Sequence, residues 1–269
     1  MLLSYSSLEQ YRWELIKENK YQNEINSADY KCKKYIKYFN IFYLSFPFLS
    51  FISNFIADYS TNFKEPHLTH QVWIPWSMNK MLPYLAGTIL ITIMTLSTVV
   101  IYVSFCVLEL TFTFQISAYL QILQHRLETQ NSDYKTVYQH HQTVMQFLRI
   151  YNETCSVQMY IETLVASLEP CGFGFALIKG LKRYEPGTFD LLYKMILVLF
   201  GPYLLCYCGQ EISTQMERLH ESSYMSKWYD EKPKVRRDLY TMMLITIRPL
   251  TLNYRLFITF NFECFTTVF

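Results

Sequence analysis

Long uncharged segments alternate with charged ones along this chain. The longest extends from Met81 to Leu108, 28 residues without Asp, Glu, Lys or Arg. A helix of this length rises about 42 Å, which exceeds the roughly 30 Å hydrocarbon core of a bilayer. In soluble proteins a helix this long carries charged and polar residues along one face, and this segment contains no charged residue. The pattern therefore predicts a membrane-spanning helix.

Three further segments are apolar enough to span a membrane. Residues 38–57 are uncharged and contain Pro47, which a membrane helix tolerates when neighbouring groups satisfy the freed carbonyl. Residues 155–178 contain Glu162 and Glu169, and charges at this depth usually face protein or water. Residues 189–208 form the last of the four predicted spans. The short apolar end of the chain, from about Phe260, predicts the start of a fifth.

An apolar stripe precedes the third span without a break. Its members recur three and four residues apart, which is the spacing of one helix face. We therefore expect a helix that projects beyond the membrane and packs there. The glycines Gly172 and Gly174, further along, predict a kinked helix end rather than a phosphate loop, because no Lys-Ser/Thr pair follows them. The stripe consists of Val137, His141, Val144, Leu148, Tyr151 and Cys155.

The distribution of basic residues predicts the orientation. With four spans, the soluble segments that include the N-terminal flank hold 18 Lys and Arg, and those on the other side hold 5. Because basic residues concentrate on the cytoplasmic side, the flank is predicted to be cytoplasmic. The sequon at Asn152 then lies in the cytoplasm and should stay unglycosylated. The predicted order is a cytoplasmic flank (1–37), a span (38–57), an extracellular loop (58–81), a span (82–108), a cytoplasmic helical loop (109–154), a span (155–178), an extracellular loop (179–188), a span (189–208), a cytoplasmic region (209–259) and the start of a truncated span (260–269).

Composition excludes several functional classes. Hydrophobic residues make up 51% of the 269 residues, and the net charge of +2 argues against a nucleic-acid partner. The seven cysteines do not suggest a disulfide framework. Cys206 and Cys208 point about 200° apart on a helix and cannot share a metal, so we expect neither metal nor cofactor. No histidine lies in a span, which argues against a membrane acyltransferase and predicts that the chain is not an enzyme.

Other membrane proteins remain as alternatives. Glu162 and Glu169 are seven residues apart on roughly one helix face, which leaves a proton-coupled transporter conceivable, although no inverted repeat is evident. A G-protein-coupled receptor would have its N-terminus outside, against the charge distribution.

The segment Cys206-Tyr207-Cys208-Gly209-Gln210-Glu211-Ile212, followed by Leu219, Tyr224 and Trp228, resembles the exit of the sixth helix in insect odorant receptors. The family has Ser and Ala where this chain has Met216 and Ser222. Further stretches are also similar, and they make the four spans helices three to six of the family. The resemblance implies an incomplete chain that lacks two helices in front and most of the pore-lining seventh behind. These 269 residues are therefore expected not to conduct, even with the co-receptor. A gustatory receptor would share the expected fold and is the alternative.

The resemblance implies a fold, a function and partners. The fold would be an all-α transmembrane bundle with long cytoplasmic helix extensions, in the plasma membrane of an olfactory neuron dendrite. The chain would be a subunit of an odorant-gated, non-selective cation channel that forms a heterotetramer with the odorant-receptor co-receptor. Residues 209–259 would belong to its anchor-like contact region, and the predicted subunit-interface residues are Ile212, Met216, Leu219, Tyr224 and Trp228.

Small volatile odorants should bind in a buried pocket lined by aromatic and aliphatic side chains with few polar ones. The halves of the spans nearest the extracellular side supply such residues. Each of them could instead pack against protein or face lipid. The predicted ligand-binding residues are Phe48, Phe51, Ile52 and Phe55 on the first span, Tyr84, Thr88 and Ile91 on the second, and Met195 and Leu199 on the fourth.

Overall fold

The structure is a computed structural model that describes residues 21–60, 73–75, 80–129, 134–183, 188–247, 250–254 and 258–268. The first 20 residues of the predicted flank and most of the predicted first extracellular loop lie outside the described residues. The fold is all-α, as predicted, apart from one small hairpin. In chain order the elements are α1 (Gln22–Ser60), α2 (Met81–Glu128), α3 (Tyr134–Arg183), α4 (Thr188–Met225), a 3-10 turn (Trp228–Asp230), α5 (Pro233–Ile247), β1 (Asn253–Tyr254), β2 (Ile258–Thr259) and α6 (Phe262–Val268).

The four long helices are apolar enough to cross a membrane and are longer than a membrane requires. They contain 39, 48, 50 and 38 residues, which corresponds to about 57 to 75 Å against a hydrocarbon core of roughly 30 Å. Each predicted span lies within one of them. Each helix therefore continues beyond the span predicted within it.

The helix α1 begins at Gln22, so the end of the predicted flank, with its basic residues Lys31, Lys33, Lys34 and Lys37, is helical and continuous with the first span. One predicted helix end differs from the structure. The helix α3 continues through Gly172 and Gly174 to Arg183, so the helix end predicted at the glycines is wrong. A glycine costs a helix roughly 1 kcal/mol. Each unpaired backbone group in lipid costs several kcal/mol, which exceeds the cost of a glycine, so the helix continues.

The described residues form two compact units. Unit 1 contains those within residues 1–34, 109–164 and 203–269, and unit 2 contains those within residues 35–108 and 165–202. The predicted ligand-binding residues all belong to unit 2. The predicted subunit-interface residues all belong to unit 1.

The apolar stripe of α3 packs inside unit 1. Every member from Val137 to Cys155 is buried, together with the facing parts of α2 and α4. Polar side chains link the same helices, because Ser117 donates a hydrogen bond to Glu211 (3.0 Å) and Gln124 donates one to the Gln215 carbonyl (2.9 Å). The predicted packing of this helix outside its apolar span is therefore confirmed as packing within the chain.

The hairpin β1–β2 was not predicted. Its two strands pair antiparallel, with Asn253 opposite Thr259. The Asn152 amide donates to Asn253 Oδ1 (3.0 Å), and the Asn253 backbone N–H donates to Asn152 Oδ1 (2.9 Å). The sequon asparagine is thereby engaged with the hairpin. A Cβ on Gly209 would collide with the Phe260 carbonyl oxygen, so α4 needs glycine at this position.

Candidate ligand-binding site

Two proline-containing helices are joined in unit 2 by a reciprocal pair of tyrosines. The Tyr43 hydroxyl of α1 donates to the Leu197 carbonyl of α4 (2.8 Å), and the Tyr193 hydroxyl of α4 donates to the Phe42 carbonyl of α1 (2.9 Å). Each accepting carbonyl lies five residues before a proline, Pro47 in α1 and Pro202 in α4. Prolines kink a helix and open its hydrogen-bond ladder, so nearby carbonyls become accessible to side chains.

Aromatic rings surround these hydrogen bonds. Phe200 of α4 contacts Phe39, Phe42 and Tyr43 of α1, with ring centroids 6.0, 5.4 and 6.3 Å apart. Tyr43 also lies 5.5 Å from Tyr102 of α2. Such ring pairs contribute about 0.5–1.5 kcal/mol each beyond the area they bury. The cluster therefore fixes α1, α2 and α4 together in unit 2.

A buried polar stripe follows on α1. Ser50, Asn54 and Asp58 are spaced four residues apart and are all buried. Asp58 lies beside the hydroxyl of Tyr84 on α2. Both Asp58 and Tyr84 have 0% exposure, so this contact lies in the interior of unit 2.

The face of α2 that begins at Tyr84 is mixed in character. Thr88, Ile91 and Thr95 follow at helical spacing and are buried. The Thr88 hydroxyl donates to the Tyr84 carbonyl (3.0 Å), and the Thr95 hydroxyl donates to the Ile91 carbonyl (2.9 Å). This face therefore combines apolar contact area with hydroxyl oxygens that remain able to accept hydrogen bonds.

The structure divides the nine predicted ligand-binding residues into groups. Tyr84, Thr88 and Ile91 share the buried face of α2. Phe48 and Ile52 lie on the outer face of α1 with 56% and 52% exposure, where a side chain in the membrane contacts lipid or another subunit. The four half-buried residues are Phe51 and Phe55, whose rings lie 6.3 Å apart, and Met195 and Leu199. Pocket membership of all nine stays a prediction.

The predicted subunit-interface residues also divide. Ile212, Met216 and Leu219 have 0% exposure in the isolated chain, because the face of α4 that they form packs into the core of unit 1. Tyr224 is exposed, and Trp228 is partly exposed. Only the latter two are accessible to another subunit without a rearrangement of unit 1.

Sequence reasoning missed the polar stripe and the reciprocal tyrosines. Asp58 was assigned to the first loop because a charged residue ends an uncharged segment, although the helix continues to Ser60. The repeat of Ser50, Asn54 and Asp58 at intervals of four was a signal that could have found the stripe. The bonds of Tyr43 and Tyr193 join residues about 150 positions apart, and nothing in a single sequence indicates them.

Two adjacent histidines of unit 1 lie in the part of α3 predicted to be outside the membrane; His141 is buried and His140 is half-buried. Burial lowers the pKa of His141 to about 4. Burial and, secondarily, the positive charge of Arg126 lower the pKa of His140 to about 4 as well. Arg126 Nη1 lies 3.2 Å from His140 Nδ1, and its guanidinium carbon lies 5.0 Å from the ring centroid of Tyr21. Both histidines are therefore neutral at pH 7.

Comparisons with known proteins agree with this architecture. Odorant receptor 94a of Drosophila melanogaster is 28% identical over 152 residues, which are 53% of this chain and 39% of that receptor. The olfactory receptor OR5 of Machilis hrabei has a similar structure, with a TM-score of 0.67 and 16% identity over 93% of this chain and 66% of that one. The structure of the same receptor in complex with eugenol matches equally well, at 15% identity. The chain thus matches less than two thirds of the length of these relatives.

The family match covers almost the whole chain. A profile of the 7tm odorant receptor family matches residues 5–269. The family match and the long apolar helices together make this a multi-pass membrane protein. The chain belongs to the 7tm odorant receptor family, which is a family of receptors rather than enzymes.

Proposed function

We propose that this chain acts as an odorant-receptor subunit that binds small volatile molecules in unit 2 and gates a non-selective cation channel together with the odorant-receptor co-receptor. The family match carries the proposal. The buried face of Tyr84, Thr88 and Ile91 supports it, because small-molecule sites are mostly apolar with a few polar groups. A relative of the same fold has been solved with eugenol, a small volatile phenol.

The channel function is tested by expressing a receptor that contains this chain together with the helices that the resemblance implies at both ends. It is expressed with the co-receptor in cells that have no receptor of their own. A panel of volatiles that includes eugenol is applied while membrane current is recorded. We expect current evoked by at least one compound only when both proteins are present. A complex that reaches the cell surface and gives no current with any compound would contradict the proposal.

Two isoleucines on α2 test the location of the ligand. Ile91 is 4% exposed and Ile93 is 56% exposed. Ile91→Trp should fill the site and raise the half-maximal concentration of an active volatile by about tenfold or more, since overpacking costs about 1–3 kcal/mol. Ile93→Trp is the matched control and should change it by less than about twofold. Equal effects of the two substitutions would place the ligand elsewhere.

We also propose that the exposed side of α5, with Tyr224 and Trp228, contacts the co-receptor in the heterotetramer. Leu239, Met242, Met243 and Thr246 are buried on the inner side of α5. Its outer side carries Tyr240, Leu244 and Ile247, which are 50–58% exposed. An exposed apolar stripe opposite a packed one is typical of a surface that meets another protein.

Co-purification tests this contact. Leu244→Lys should reduce the amount of co-receptor that purifies with the chain, because it places a charge in an apolar interface. Lys234→Glu, at an exposed position in the first turn of α5, controls for a charge change without loss of apolar area. Unchanged co-purification with Leu244→Lys would remove α5 from the proposed contact. The same assembly is proposed to reside in the dendritic plasma membrane of olfactory neurons, which immunolocalisation tests.

A further inference from the structure

Two cysteines of unit 1 lie side by side where α4 meets α6. The Cys206 thiol of α4 lies beside the Cys264 thiol of α6. Along the chain the two helices are separated by α5 and the hairpin β1–β2. Both thiols are free. A disulfide forms without backbone movement only between cysteines that the fold already holds close, and this pair meets that condition.

Packing on both sides of Cys206 keeps the two helices in this register. The Tyr203 ring lies 6.0 Å from the Phe262 ring and 5.7 Å from the Phe265 ring, measured between centroids. One turn of α4 further on, Gly209 packs against the backbone of Phe260. The two thiols are therefore neighbours because the surrounding contacts place them together.

The two thiols differ in their surroundings. Cys206 is 1% exposed, whereas Cys264 is partly exposed. A small oxidant therefore reaches Cys264 first, because buried thiols in apolar surroundings react slowly. The backbone N–H groups of Asn261 and Phe265 lie beside the Cys206 sulfur. They can stabilise the negative charge that this sulfur carries when it attacks its neighbour.

We propose that Cys206 and Cys264 form a reversible disulfide when a hydroperoxide oxidises the chain. The Cys264 sulfur first attacks the O–O bond, which gives a sulfenic acid and releases water or an alcohol. The Cys206 sulfur then attacks the Cys264 sulfur, and the displaced hydroxide leaves as water with the Cys206 proton. Each sulfur loses one electron and the peroxide gains two. The disulfide fixes α6 to α4 until a thiol reduces it.

The predicted orientation fits a transient disulfide. Cys206 lies near the end of the predicted span 189–208, next to the region predicted to be cytoplasmic. Cytosolic thiols are kept reduced, and disulfides there are usually transient or redox-sensing. The pair is therefore reduced at rest and crosslinked only during oxidation. This inference goes beyond the proposed function, because it needs no odorant.

A purely structural role makes a different prediction. A free cysteine also packs as a small hydrophobic side chain. If the pair only packs, peroxide oxidises cysteines in the order of their exposure, beginning with exposed Cys171, and Cys206 stays reduced. If the pair reacts, Cys206 is oxidised in spite of its burial, and only while Cys264 is present.

Mass spectrometry distinguishes the two roles. The full receptor that contains this chain is purified into lipid nanodiscs under reducing conditions and treated with hydrogen peroxide. It is then denatured, alkylated and digested. We expect a peptide that links Cys206 to Cys264, with the loss of alkylation at both. Dithiothreitol added before alkylation should restore both alkylated thiols.

Variants assign the roles of the two sulfurs. Cys264→Ser should leave Cys206 alkylated after peroxide. Cys206→Ser should leave a sulfenic acid on Cys264 that dimedone captures, and Cys206→Ala replaces it if the serine variant does not fold. Cys171→Ser removes an exposed thiol of unit 2 and is the control, which should leave the crosslink unchanged.

Thermal unfolding tests whether the crosslink fixes α6. Oxidation should raise the Tm of the unmodified receptor and leave that of Cys264→Ser unchanged, because a disulfide that closes a long loop constrains the unfolded chain. Full alkylation of Cys206 after peroxide, or its oxidation in Cys264→Ser, would overturn the site. A crosslink with an unchanged Tm would overturn the fixing of α6. None of these results depends on odorant binding, so the proposed function is tested separately.

Discussion

The bond from Tyr43 to Leu197 offers a measurable test of how unit 2 is held together. Tyr43→Phe removes one hydroxyl with a 2.8 Å hydrogen bond and keeps the ring, with its contacts to Phe39 and Phe200. A hydrogen bond in a protein contributes about 0.5–1.5 kcal/mol net. In membrane helices the average is about 0.6 kcal/mol and the maximum about 1.7. Because Tyr43 is only 5% exposed, we expect a loss of about 1 kcal/mol.

Reversible unfolding in mixed micelles measures this loss. Tyr30→Phe is the control, because Tyr30 is 69% exposed and the same hydroxyl is removed there. Tyr193→Phe removes the bond to the Phe42 carbonyl and the contact with Ser45 Oγ (3.0 Å), and should cost a similar amount. The double variant should lose less than the sum, by roughly 0.5 kcal/mol, because the two bonds fix the same helix pair. A Tyr43→Phe protein as stable as Tyr30→Phe would refute the reasoning.

Three further predictions concern unit 1. Gly209→Ala should destabilise the protein by about 2 kcal/mol or more in the same unfolding assay, because the new Cβ would collide with the Phe260 backbone. Gly172→Ala is the control and should be neutral or stabilising, because a Cβ there meets nothing within 4 Å. Asn152→Ala should cost about 1–2 kcal/mol by removing both bonds to Asn253, and a loss within error of zero would contradict that role. Tm should fall as the pH drops from about 6.5 toward 4, because His141 takes up a proton in that range in the unfolded protein and not in the folded one. The loss of stability from His141 alone is about 3 kcal/mol at most, and His141→Leu should reduce it. A Tm that is equal at pH 7 and pH 5 would contradict the lowered pKa of His141.

Helices and their apolar faces could be predicted from the sequence because both follow from local periodicity. The segment from Met81 to Leu108 is too long and apolar for anything except a span, and it lies within α2. The stripe from Val137 to Cys155 repeats at helical spacing, and the structure buries every member. The break before α5 follows from Pro233, which begins that helix.

Contacts between distant segments could not be predicted in the same way. The strands β1 and β2 contain two residues each, too few for an alternating pattern to appear. The charge of Asp58 was misleading. The predicted span ends at the last uncharged residue, whereas the helix includes Asp58, whose carboxylate lies beside the buried Tyr84. Ile212, Met216 and Leu219 recur at helical spacing and form one apolar face of α4. Periodicity could not decide whether it packs within the chain or against a partner, and the structure places it within the chain.

The central claim, that odorants bind in unit 2, is tested most directly by photolabelling. A volatile that activates the receptor is synthesised with a diazirine in its hydrocarbon part, bound to the full receptor, irradiated, and located by mass spectrometry. We predict labelling of the buried faces of α1 and α2, within residues 50–58 and 84–95, that excess unlabelled odorant suppresses. Suppressible labelling confined to unit 1, or to exposed positions such as Phe48 and Ile52, would contradict the claim.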